Sequence, residues 1–111
     1  MMIEQRIQQI ETRLRESSQI SDETKSELLN LLDSLKEELE RVTTTHEEDA
    51  RSLARFVDAS THEATRSEKK PKLINAALTG LTASAESFEA SHPKLAQVVN
   101  QIATILSNMG L

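Results

Sequence analysis

Histidine and carboxylate spacing decides first what chemistry this chain can carry. Glu89-Ala90-Ser91-His92 has the Glu-x-x-His spacing with which di-iron carboxylate bundles hold metal from one helical face. Such a centre needs a second Glu-x-x-His on another helix, and the residues three before His46 and His62 are Thr43 and Ala59. Pro93 also sets Glu89 and His92 on either side of a helix boundary, so a capping or turn role is expected for His92. His62-Glu63 begins like the zinc-protease motif, in which two histidines one turn apart grip the ion, but the second position is Arg66. His46 falls, with Asp49, where polar groups enter a heptad seam, either as a buried polar group that fixes register or as an exposed residue where the register changes.

No Ser-His-Asp grouping stands out, no glycine-rich phosphate loop is present, and without Trp or Tyr there is no aromatic platform for bases. The absence of cysteine removes thiol nucleophiles, Cys-ligated zinc, iron–sulfur clusters and disulfides. No catalytic, cofactor-binding or metal-ligating residue is therefore assigned, no cofactor is expected, and the chain is read as a non-enzyme. Arg66, Lys69, Lys70 and Lys72 form a basic cluster, but Glu68 interrupts it and the chain carries a net charge of −5. A solvated loop follows from this, without nucleic-acid binding. No run approaches the roughly 18 to 20 apolar residues of a membrane span, and the start of the chain carries Glu4 and lacks a signal peptide's apolar stretch. The expectation is a cytoplasmic protein that engages no membrane.

The elements that must position these residues are helical. The 111 residues suffice for one domain, and 27 of them are Ile, Leu, Val or Phe, just above the level at which a charged chain stays unfolded. Ile3, Ile7, Ile10 and Leu14 recur at steps of four, three and four and predict a helix over 2–17. Ser21, followed by Asp22 and Glu23, caps the next helix. Its seam of Leu28, Leu32, Leu35, Leu39 and Val42 is a heptad pattern that packs on the first helix as an antiparallel hairpin. The same register reaches His46, Asp49, Leu53, Phe56 and Ser60. With no Gly or Pro to interrupt it, one helix over 22–65 is favoured, on the order of 65 Å long. The alternative is a break near 43–46, because Thr43 to Thr45 are poor helix formers and Thr45 with Glu48 has capping-box spacing.

Arg66 to Lys72 reads as a connection, with Pro71 opening a helix over 71–90. Ile74, Ala77, Leu78, Leu81, Ala85 and Phe88 share one face of it, while Ala76, Gly80 and Ser84 line its edge. Glycine inside a helix costs about 1 kcal/mol relative to alanine, which fits either a close backbone approach or a tolerated glycine. His92 as cap residue and Pro93 as first helical position start a helix over 93–109, with Leu95, Val98, Val99, Ile102, Ile105, Leu106 and Met109 on its apolar arc. Gly110 sits where a left-handed cap belongs, and Leu111 where a Schellman motif would bring it onto Leu106.

Charge is distributed unevenly. Residues 1–72 hold 28 of the 31 charged side chains, and the polar face of the last helix, with Gln97, Asn100, Gln101 and Thr104, is neutral. Such a face suits burial against a partner, or is an exposed neutral face. The resulting reading is an all-α protein with antiparallel helical hairpins around a long central helix, bundle-like or coiled-coil-like. It acts as a protein–protein interaction or scaffold module; the alternative is a small regulator whose partner engages the charged long helix, and a metalloprotein or enzyme comes third. A homodimer is expected, since short helices beside a long one leave part of its seam uncovered. Ala76, Gly80 and Ser84 with Gln97, Asn100, Gln101 and Thr104 are the candidate interface, for a second copy or an unidentified protein partner.

The stretch Phe88-Glu-Ala-Ser-His-Pro-Lys-Leu95, with Ile102 to Leu111 and its Met-Gly-Leu ending, resembles the end of a small bacterial family, domain of unknown function four-four-zero-four. The resemblance covers about 25 residues specifically and the leucine-rich early hairpin generally. It implies a bacterial, cytoplasmic helical protein and transfers no activity, cofactor or site residue.

Overall fold

A computed structural model describes residues 3–110 and contains five helices among them: α1 (Ile3–Glu16), α2 (Asp22–Val42), α3 (Glu47–Ala64), α4 (Pro71–Glu86) and α5 (Pro93–Gly110). The class is all-α, as the periodicities require. The first hairpin forms as its stripes dictate, with Ile7, Ile10 and Leu14 of α1 buried along with Leu28, Leu32, Leu35, Leu39 and Val42 of α2. Ser21 caps α2: its backbone is extended (φ −67°, ψ 155°) and its hydroxyl accepts the Thr24 N–H at 3.2 Å.

The continuous helix over 22–65 does not form. The chain reverses between Val42 and Glu47, and the threonines supply the reason. The Thr43 hydroxyl donates back to the Leu39 carbonyl at 2.6 Å, and that of Thr45 to the Val42 carbonyl at 3.3 Å, while the Thr45 and His46 N–H groups both turn back on Val42. The Leu39 and Val42 carbonyls are thereby satisfied without another turn of helix. His46, not Thr45, occupies the cap of α3, with φ −136° and no side-chain cap bond. Glu47, Glu48 and Asp49 place negative charge in the positive first turn of α3 instead.

The reversal sets the architecture. The start of α1, the end of α2 and the start of α3 meet at one end of the molecule, and the ends of α1 and α3 meet at the other. Helices α1, α2, α5 and α3 pack as a ring, each on the next, and α4 lies outside the ring against α3 and α5. The chain therefore runs up and down five times inside a 38 × 24 × 24 Å body. Leu53 and Val57 of α3, Leu81 of α4, and Leu95, Val99, Ile102 and Leu106 of α5 join the first hairpin in one core. The leucine seam of α2, expected to lie partly uncovered, is closed within the chain.

Two further expectations are corrected at helix ends. Helix α4 stops at Glu86 rather than 90, because the Phe88 and Glu89 N–H groups reach back only three residues, to the Ala85 and Glu86 carbonyls. That tightening turns Phe88 into the core, where it is fully buried. Gly110 is not a left-handed cap: it remains helical, no glycine has positive φ, and it is buried with the Ile74 side chain against it. A β-carbon there would meet Ile74 Cδ1 at 2.8 Å, so the bare glycine lets the end of α5 rest on the start of α4. Leu111 and its contact with Leu106 lie outside the described residues, as does position 2 of the first helix.

Gly80 has a comparable explanation on α4. The Phe56 ring of α3 occupies the space that a Gly80 β-carbon would fill, so the close approach is by a side chain rather than a backbone. Alanine at Gly80 gains about 1 kcal/mol of helix propensity but displaces that ring. We expect Gly80→Ala to lower the urea midpoint in the wild-type background and to raise stability by about 1 kcal/mol in a Phe56→Ala background. Equal effects in both backgrounds would show that the ring does not fill the notch.

Candidate functional site

The three histidines end in different surroundings. His46 at the start of α3 and His92 just before α5 come together edge-on, with ring centroids 5.7 Å apart, and Phe88 lies 6.0 and 6.2 Å from them. His46 Nδ1 is 2.8 Å from the Thr45 hydroxyl. His92 holds the capping position, its carbonyl accepting the Ala96 N–H at 3.3 Å, and Pro93 is the first helical residue. This cluster joins the reversal after α2 to the turn after α4. His62 is exposed on α3, and its neighbour Glu63 is taken by Arg66 at 3.0 Å. Among the described residues, no group of three or more His, Asp or Glu side chains is placed to hold a metal.

Several charged side chains are committed to structure. Asp58 of α3 receives Arg6 on one oxygen at 2.9 Å and Arg13 on the other at 2.8 Å, both from α1. Arg6 and Arg13 are seven residues apart and so share a face of α1, but one sequence does not single out Asp58 as their partner. The two buried carboxylates, Glu11 and Glu38, are each held by an arginine of their own helix, Arg15 and Arg41. Within the basic cluster, Lys69 donates to the Ala64 and Arg66 carbonyls at 3.0 and 3.2 Å and closes the end of α3, and Lys70 pairs with Glu68. A cavity of about 360 Å³ lies where α1, α2 and α3 meet, between Ile3, Leu39 and Thr43, and the Arg51 on its rim is bound to Glu47 at 2.8 Å.

The uncharged residues make a surface of a different kind. Gln97, Asn100, Gln101 and Thr104 are exposed on α5 and line one shallow groove, whose far end is Glu89 and Pro93. Asn100 and Thr104 also line a second groove between α5 and α4. The Thr104 hydroxyl donates to the Asn100 carbonyl at 2.9 Å. The side-chain amides of Gln97, Asn100 and Gln101 make no hydrogen bond among the described residues.

The α4 wall of the second groove is Asn75, Thr79 and Thr82 with Leu78, not the edge proposed from spacing. Gly80 belongs to the contact with Phe56, Ser84 is half-buried with its carbonyl taken by the Ser87 hydroxyl, and Ala76 is exposed outside either groove. The absence of charge from Leu73 to Ala85 marks α4 as a neutral wall, but which of its residues reach the groove is set by how α4 is rotated against α5.

A family model described as Domain of unknown function (DUF4404) matches residues 28–111. The chain belongs to the DUF4404 family. No curated protein and no solved structure matches it. The DUF4404 region takes in α3, α4, α5 and most of α2, and with them both grooves and the His46–Phe88–His92 cluster; α1 lies outside it. The Phe88-to-Leu95 junction has a physical role in this DUF4404 chain. Phe88 and Leu95 are core residues, His92 and Pro93 start α5, and Glu89 is left on the groove. No helix among the described residues is long and apolar enough to cross a membrane.

The Asp58 clamp supplies a testable feature of how α1 is held. Its groups are partly exposed, so each arginine pair is worth about 0.5 to 1 kcal/mol. Asp58→Asn should destabilise the protein by about 1 to 2 kcal/mol in low-salt urea denaturation, with the deficit shrinking in molar salt. An unchanged midpoint at low salt would show that α1 is held by its apolar stripe alone.

Proposed function

We propose that this chain is a non-enzymatic protein-interaction module that receives a protein partner along the uncharged α4–α5 face. The observation that carries the reading is the continuity of that face. Two grooves share Asn100 and Thr104, and apart from Glu89 at one end their walls are amide, hydroxyl and apolar side chains on a chain otherwise rich in surface charge. Burying an exposed lysine or glutamate against a partner requires its charge to be desolvated and matched; amides and hydroxyls bury more cheaply and offer donors and acceptors together. Interface centres are accordingly depleted in charge. The regulator reading relied on a long continuous charged helix, and the corresponding segments are two shorter helices with buried inner faces. A bacterial, cytoplasmic setting is part of the proposal, consistent with a chain that has no cysteine to oxidise.

Site-specific photo-crosslinking in the native cell tests the reading. A crosslinking residue at Gln101 should yield discrete protein adducts, and one at the exposed Glu27 on α2, outside both grooves, should not. Equal labelling at both positions, or adducts only from Glu27, would contradict the assignment.

A further inference from the structure

The occupant of this face can be argued from its chemistry. Resting on the reading of the α4–α5 face as a docking face, we propose that its partner is a second copy of this chain, paired about a two-fold axis near Asn100. A two-fold interface is isologous, so side chains close to the axis meet their own copies or near neighbours. A lysine or glutamate there meets a like charge. An asparagine, glutamine or threonine meets a group that both donates and accepts, and so pairs with itself. Gln97, Asn100, Gln101 and Thr104 follow one another at steps of three, one and three on a single exposed strip of α5, and the three amides are unpaired within the described residues. This face is self-complementary in a way that the charged faces are not.

Charge elsewhere on the molecule gives the same answer. With a net charge of −5, and with twelve acidic against five basic side chains on α2 and α3 together, two copies meeting through α2 or α3 would bring predominantly acidic surfaces together. Through α5 they approach on the side that carries almost none. Asn100 lies midway along the strip from Pro93 to Asn108 and lines both grooves, which is why the axis belongs there. Glu89 in the turn before α5 and Lys94 in its first turn then lie toward the uncharged far end of the partner helix instead of against their own copies.

The size of the face sets the strength. The 18 residues of α5 span about 27 Å, and with α4 alongside at about 8 to 10 Å the face offers on the order of 500 Å² per copy. That is below the roughly 800 Å² of a standard interface, so association belongs in the micromolar range and is reversible on dilution.

Sedimentation of the full chain from low micromolar to millimolar concentration tests this, with Asn100→Lys and Asn100→Glu as probes and circular dichroism to confirm that both variants fold. Wild type should pass from 12.4 kDa to twice that mass. Each variant alone should dissociate at least about tenfold more readily, and an equimolar mixture of the two should re-associate, because opposite charges then meet across the axis. A wild type that stays monomeric throughout, a dimer indifferent to both variants, or a mixture that stays monomeric would each overturn the proposal. Adducts at Gln101 with a different protein, on a chain that is monomeric in sedimentation, overturn self-pairing and leave the docking face standing.

Discussion

Everything in this fold answers to one constraint, the leucine seam of α2. Leu28, Leu32, Leu35, Leu39 and Val42 form a line of side chains that must leave water, and α1, with 14 residues against 21, cannot cover it from every side. At about 1.5 to 3 kcal/mol for each large side chain fully buried, the seam is worth on the order of 10 kcal/mol. Extending α2 past Val42 would gain only a few turns of exposed helix, whose propensity terms are tenths of a kcal/mol per residue. Completing the cover of the seam outweighs that gain. The reversal brings α3 back along the bundle, which positions the α4–α5 hairpin so that α5 can close the ring against α2.

The reversal is stabilised locally as well as globally. Threonine hydroxyls donate to the Leu39 and Val42 carbonyls of α2, carboxylates sit in the first turn of α3, and the His46 ring rests on Phe88 and His92 from the other hairpin. The same end of the molecule thus records both chain turns in one cluster of rings. Charge follows the topology: the segments that reverse carry ion pairs such as those of Asp58, and the closing hairpin carries almost no charge on its outer face. That separation supports the interaction reading.

The helices themselves were legible from periodicity, and Ser21, His92 and Pro93 from the demands of helix starts. The break near Thr43 was not decided by sequence, because the heptad register runs through it unbroken in spacing, and only burial elsewhere in the fold selects the reversal. Gly110 departs from the expected cap because, although a glycine after the last apolar residue of a helix ordinarily adopts a left-handed turn, here the Ile74 side chain takes the space of the missing β-carbon. The Gln97–Thr104 strip could be found from the absence of charge, whereas its neighbours Asn75, Thr79 and Thr82 depended on how α4 is rotated against α5. Pairings across the fold, Arg6 and Arg13 on Asp58 among them, had no local signature among 18 possible carboxylates.

The self-closed bundle stands or falls on the direction of α3 relative to α2, and a single distance reports it. The chain has no cysteine, so Glu23→Cys and His62→Cys place one spin label near the start of α2 and another near the end of α3, both on exposed sites. Double electron–electron resonance on this pair, at concentrations low enough to exclude association, should give a single short distance on the order of the 24 Å cross-section. A distribution centred near 59 Å, the length of about 39 residues of unbroken helix, would contradict the reversal and the architecture built on it.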